Sequence, residues 1–124
     1  MNDESKTVYF ALDMKKNRIR FTRTTMGLMG NPPYIQILIN PSKRMMIIRG
    51  LPEKATNAPS EKIHYEGTDE RYVELYSTLL MGKFSNAFSQ FDKRVTYKVF
   101  GEAFMDKQVA IFDLTQFKEL ESVT

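Results

Sequence analysis

The chain contains no cysteine and a single histidine, His64. The first absence excludes disulfides, cysteine-ligated zinc and thiol nucleophiles, and it suits a reducing compartment. The second leaves too few imidazoles for a histidine metal cluster and gives a Ser-His-Asp triad little to build on. No apolar run approaches the roughly 20 residues that span a bilayer. The opening MNDESK is polar and acidic, without the apolar core of a signal peptide. These gaps predict a soluble, cytoplasmic protein with no membrane contact, no cofactor and no metal.

What is present suits a packed domain. The 124 residues are 42% apolar and include nine Phe and six Tyr. A chain of this size buries roughly two-thirds of its unfolded surface on folding. The length fits a single domain over residues 1–124, or two small repeats sharing one core. Net charge is only +3, but its distribution is uneven. Residues 1–62 carry eleven Lys/Arg against five Asp/Glu, and residues 63–124 carry seven against ten. The first half is therefore +6 and the second −3. That asymmetry points to a basic face for a polyanion or an acidic partner, or to two halves that attract each other.

Along the chain, residues 7–13 read as a strand, followed by a tight basic turn at Lys15-Lys16-Asn17, with Asn tolerating positive φ. Residues 18–23 alternate cleanly, with Arg18, Arg20 and Thr22 on one face and Ile19 and Phe21 on the other. This is the pattern of a half-buried strand. Thr24 or Thr25 is placed to cap a short helix over residues 26–29, which Gly30 and Asn31-Pro32-Pro33 end. Residues 34–39 and 45–48 form a hairpin around Asn40-Pro41-Ser42-Lys43-Arg44, the first strand apolar enough to be buried on both faces. Residues 51–60, with two prolines, read as a linker.

In the second half, residues 63–65 suggest a short strand, and Thr68 or Asp69 a helix cap. Tyr72, Tyr76, Leu79 and Leu80 recur at helical spacing, and Phe84, Phe88 and Phe91 continue it past Gly82. A strand over residues 95–100, a loop over 101–107 and a strand over 108–114 follow, with Val109, Ile111 and Leu114 expected to face the core. Residues 115–120 read as a closing helical turn. The expected fold class is α+β: two β-α-β-β-like halves, 7–50 and 61–120, with antiparallel hairpins packed on one or two central helices.

Residues 17–50 carry a family resemblance. Arg18-Ile19-Arg20-Phe21, a short helix ending Leu28-Met29-Gly30, then Tyr34-Ile35-Gln36-Ile37 and a turn into residues 45–48 resemble the AbrB/MazE/SpoVT swapped-hairpin domain. Met29-Gly30 stands at that family's Leu-Gly position. Its usual Ile-Pro is Phe21-Thr22 here, and its Gly-Asp before the hairpin is Pro33-Tyr34. The resemblance implies an interleaved dimer that binds DNA, with Arg18, Arg20 and Arg23 at the basic contact positions. If the second half mimics the first, one chain forms a pseudo-dimer.

The chemistry of the residues points the same way. Lys15, Lys16, Arg18, Arg20 and Arg23 place five cations within nine residues. A guanidinium fork suits phosphate, and neutralising phosphates makes binding salt-sensitive. A charged strand face that merely resists aggregation is the competing explanation. Arg44 and Arg49 flank the second hairpin and extend the patch if the sheet brings them alongside, while Lys43 and Arg44 also suit a polar turn tip. Tyr9, Phe10, Phe21 and Tyr34 lie near the cations and suit either base stacking or the core. His64 with Glu61, Glu66 and Asp69 has no metal spacing, and Gly27-x-x-Gly30 lacks the Gly-Lys-Ser/Thr of a phosphate loop. The expectation is a non-enzymatic DNA-binding regulator, with duplex DNA as partner and a homodimer as its form. The alternative is a protein–protein interaction or assembly module using the basic face or the aromatic helix.

Overall fold

A computed structural model describes residues 5–56, 60–67, 69–76 and 91–120. Its strands are β1 (Ser5–Asp13), β2 (Arg18–Thr22), β3 (Tyr34–Asn40), β4 (Met45–Leu51), β5 (Glu61–Lys62), β6 (Tyr72–Tyr76), β7 (Thr96–Phe104) and β8 (Val109–Glu119). All are antiparallel to their neighbours, in the order β5-β3-β4-β8-β7-β1-β2-β6. The sheet curls into a nearly closed barrel. This corrects the α+β expectation. Among the described residues the helical elements are α1 (Arg23–Leu28) and a 3-10 turn at Met105–Lys107. No central helix is needed, because the inward side chains of facing walls fill the interior themselves. Phe10, Leu12, Ile19, Phe21, Ile35, Met46, Ile48, Val99 and Phe112 are all buried there, and the Phe10 and Phe112 rings meet edge-on at 4.8 Å. Each such side chain contributes about 1.5–3 kcal/mol of burial.

Several local expectations change with the topology. Tyr72 and Tyr76 belong to strand β6, which pairs with β2 from Thr22↔Tyr72 to Arg18↔Tyr76. The alternation that matters is that of Val73 and Leu75, both buried. Leu79, Leu80, Gly82, Phe84 and Phe88, like Thr68, lie outside the described residues. Phe91 packs on Tyr97 and Phe117. Residues 115–119 continue β8 as strand because β7 offers them a ladder, Tyr97↔Glu119 among its pairs. Ala110, Phe112 and Leu114 face the core, and Val109 and Ile111 stand on the other face, only half-buried. β3 is covered on one side only, leaving Leu38 49% exposed. Among the described residues, no helix is long and apolar enough to cross a membrane.

The first turn and helix follow local rules. Asn17 takes positive φ to close the β1–β2 turn. Thr22, rather than Thr24 or Thr25, caps α1, its hydroxyl accepting from the Thr25 N–H at 3.0 Å. At the other end Gly30, at φ +83°, donates to the Gly27 carbonyl and Asn31 donates to that of Met26. These two bonds form a Schellman cap that satisfies carbonyls the helix leaves orphaned.

The strand order maps onto itself when β1–β4 are exchanged with β5–β8, taking the edges β5 and β6 as neighbours. Two backbone features repeat the same relation. Arg44 ends the β3–β4 loop at φ +53°, and Gln108 ends the β7–β8 loop at φ +53°. The Arg44 carbonyl accepts from Leu114 N–H at 2.8 Å, and the Gln108 carbonyl accepts from Gly50 N–H at 2.9 Å. The same sequence separation relates Arg44 to Gln108 and Gly50 to Leu114. The pseudo-twofold axis passes between β2 and β6, where Arg20 faces Glu74, and between β4 and β8, where Ile47 faces Ile111.

Candidate nucleic-acid interface

The arginines of β2 point outward, as their alternation predicts, but the fold already uses them. Arg18 donates to the buried Asp13 carboxylate at 3.0 Å, with Glu74 at 3.7 Å, and its Nε is buried with no partner among the described residues. Asp13 also accepts from the Lys16 N–H, so one carboxylate fixes both the turn and the first arginine of β2. Arg20 binds Glu74 through Nε and Nη2 at 3.0 and 2.9 Å. Arg23 sits at the seam between the sheet edges. Its backbone N–H donates to the Arg71 carbonyl, and its guanidinium donates to the carbonyls of Tyr65 at 2.6 Å and Asp69 at 3.2 Å. Tyr65 in turn donates its hydroxyl to the Pro32 carbonyl. Burial pushes that phenol up to about 12, with Arg23 partly opposing the shift.

The remaining candidates separate into two groups. Lys15 and Lys16 are exposed in the β1–β2 turn. Lys43 and Arg44 are exposed in the β3–β4 turn, which opens toward the same end of the barrel. Arg49 lies near the opposite end, beside Val109, and donates to the Gln36 side chain at 2.8 Å. It does not join the patch.

Two lysines absent from the sequence expectation fill the space between those turns. In the sheet order β8 and β7 separate β4 from β1, and there Lys118 stands directly across from Lys98. Like charges opposite one another on adjacent strands destabilise the pair. Among the described residues, none of Lys15, Lys16, Lys98 and Lys118 forms an ion pair. Nearby acids are mostly engaged: Asp13 by Arg18, Asp92 by Arg94, and Asp113 as acceptor from Thr115. Hydrogen bonds from the Arg94 side chain and backbone hold Asp92 below its ordinary range. Glu119 remains exposed at the rim. Lys98 is visible in the sequence as the polar break in VTYKVF, whereas Lys118 lies in a segment whose pattern suits a helical turn.

The aromatic candidates also divide. Phe10 and Phe21 are wholly buried. Tyr9 is on the outer face, its hydroxyl 2.8 Å from that of Tyr72, and the Lys98 ammonium sits 4.4 Å from its ring centre. The bond to Tyr9, with burial, raises the Tyr72 phenol above its usual value. Tyr34 is half-buried on β3 and removed from this cluster. Among the described residues, no group of His, Asp and Glu is arranged to hold a metal. His64 borders a shallow pocket with Glu66, Asp69 and Glu74. No family model, curated protein or solved structure matches this chain.

Proposed function

We propose that this is a non-enzymatic DNA-binding regulator that takes duplex phosphates on the rim formed by Lys15, Lys16, Lys98 and Lys118, with Lys43 and Arg44 at its flank. The observation that carries this reading is the Lys98–Lys118 cross-strand pair: two like charges held opposite each other, beside a turn bearing two more, gain from a polyanion. Arg18 and Arg20 add little to the positive field, because Asp13 and Glu74 neutralise them, and Arg23 lies beyond the other end of β2. The swapped-hairpin resemblance belongs to this reading: first-half and second-half strand pairs alternate around the sheet, as an interleaved pseudo-dimer would require.

The test is fluorescence anisotropy with labelled duplex DNA across a salt titration. Binding should weaken steeply with salt, by a log–log slope of about 0.9 for each phosphate contact. Reversing both Lys98→Glu and Lys118→Glu should cost about tenfold or more in affinity. Stability should fall by no more than about 1 kcal/mol, since one like-charge pair replaces another but the Lys98 contact with the Tyr9 ring is lost. Unchanged affinity in the folded variant would remove the rim from the site. No salt-dependent binding by the unaltered chain would sink the nucleic-acid reading.

One observation favours a second reading. Leu38, Ile47 and Ile111 stand in a row across β3, β4 and β8 on the outer face, with Leu38 half exposed. An assembly module would use this row. Light scattering that shows self-association abolished by Leu38→Lys would favour it.

A further inference from the structure

Going beyond the rim, the outer face carries a second arrangement. At one level of the barrel, Tyr72 on β6, Thr22 on β2, Tyr9 on β1 and Phe100 on β7 form a row across four adjacent strands. The outward face of such a row is ordinarily polar, yet three of these four positions are aromatic and all three are only half-buried. The ring centres lie 6.4 Å apart for Tyr9–Tyr72 and 6.3 Å apart for Tyr9–Phe100, and the Tyr9–Tyr72 hydroxyl bond fixes their orientation. The next level of the sheet supplies Lys98 and Arg20.

Phe100 stands beside an irregularity in the β7–β8 ladder. The β7–β8 register shifts between Val99↔Phe117 and Gly101↔Phe112, so residues 113–116 of β8 bulge opposite Phe100, which keeps its regular pairing with Tyr9 on β1. Bulges re-aim side chains and concentrate beside functional sites. The bulge depends on glycine, because a Cβ at Gly101 would collide with the Ile111 carbonyl oxygen and with Phe112. A shallow groove runs along each side of the strip, one bordered by Tyr9, Arg23 and Tyr72, the other by Phe100 and Ile111, with Thr7 on the border of both.

Cations already occupy the ring faces. Lys98 lies over Tyr9, and Arg20 and Arg71 lie 5.4 and 5.6 Å from the Tyr72 centre. Arg20 is tied to Glu74, whereas the Arg71 side chain is 80% exposed and 3.7 Å from its acid. Lys98 and Arg71 can therefore swing from ring to phosphate when a base takes the ring face. We infer that the Tyr72–Tyr9–Phe100 strip, with Lys98 and Arg71, binds single-stranded nucleic acid by stacking unpaired bases. Aromatic rings beside cations on a sheet surface match both parts of such a strand, its π-faces and its backbone charge, without sequence preference.

The experiment compares labelled oligo-dT, oligo-U and a duplex of mixed sequence by anisotropy. Tyr9→Leu with Phe100→Leu should weaken oligo-dT or oligo-U binding about tenfold or more, as the loss of stacked bases requires, and leave duplex affinity within about twofold. Tyr9→Phe and Phe100→Tyr should retain binding, since they keep the rings. Oligo-U alone binding would assign the site to RNA, and equal binding of both would assign it to either backbone. Photocross-linking of a 5-bromouracil-substituted oligonucleotide to the unaltered chain should mark peptides holding Tyr9, Tyr72 or Phe100, which covers the case of a misfolded variant. Cross-links confined to other peptides, no single-strand binding, or unchanged affinity in the folded leucine variant would each overturn the inference. Duplex binding that survives such a result would leave the rim standing as a duplex site. Single-strand binding without duplex binding would instead remove the rim and keep the aromatic strip.

Discussion

Arg44 and Gln108 occupy matching places in the two halves of the barrel, and both take the same left-handed backbone angle. Each carbonyl then accepts one hydrogen bond from a strand of the other half, at Leu114 in one case and Gly50 in the other. Their surroundings differ sharply in charge. The turn before β2 is Lys15-Lys16-Asn17, while the matching connection before β6 holds Glu66, Asp69 and Glu70. On the axis itself Arg20 meets Glu74. The barrel thus constrains backbone hydrogen bonding tightly and leaves surface charge almost free. Two similar halves therefore make a molecule with a basic end and a more acidic one.

The largest expected effect is at a place where the paired strands of the two halves differ, the β7–β8 bulge. Ile37 in the first half corresponds to Gly101 in the second, beside the bulge. Gly101→Val should lower stability by about 3 kcal/mol or prevent folding, at the upper end of what overpacking costs, because the added carbon meets backbone and Phe112. Urea denaturation measures it. A loss well under about 1 kcal/mol would mean that the bulge can slip back into regular register.

A middle-sized effect sharpens the charge difference. Glu74→Arg should cost roughly 1 kcal/mol by placing two arginines across the axis, and Arg20→Glu added to it should recover most of the loss. The Arg20 and Glu74 side chains are 28% and 29% exposed, which limits the magnitude. Thermal or urea melts of the three variants measure it. A double variant no more stable than the single one would show that position, not charge complementarity, is what matters there.

The smallest effect at neutral pH concerns the seam. Tyr65 is raised from 10.0 to about 12 by burial, so its neutral form is the one the fold prefers. That preference is fully present below about pH 10 and is lost as pH rises toward 12. Unaltered protein should therefore lose stability across that window more steeply than Tyr65→Phe, in thermal melts followed at stepped pH. Parallel curves would show that the phenol ionises without disturbing the edge-to-edge closure.

Much of the first half is legible in the sequence because its signals are local. The alternation of Arg18–Thr22, the positive φ at Asn17, the glycine end of α1 and the Asn40–Met45 hairpin each depend on a few neighbouring residues. The second half misleads at β6 and at the end of β8. Tyr72 and Tyr76 stand at a spacing that suits a helix, and only pairing with β2 selects the strand, where Val73 and Leu75 are the buried pair. Residues 115–119 carry no strong pattern and become strand because β7 lies beside them. Alternation alone places Arg20 on an outward face, but the acid that binds it is 54 residues away at Glu74.

Local sequence alone was enough for the Asn17 turn, the Asn40–Met45 hairpin, the glycine end of α1, the charge imbalance and the absence of thiol chemistry. These follow from single residues and their nearest neighbours. Tertiary pairing was needed to show that the described strands curl into a nearly closed barrel filled by their own side chains, that Arg18, Arg20 and Arg23 serve the fold, and that Lys98 meets Lys118. It also decided which rings reach solvent: Tyr9 and Phe10 are adjacent in the chain, yet one lies outside and the other in the core. The reason is that strand pairing and register are set by hydrogen-bond ladders between distant segments, and a single-residue change of register exchanges every inside position for an outside one.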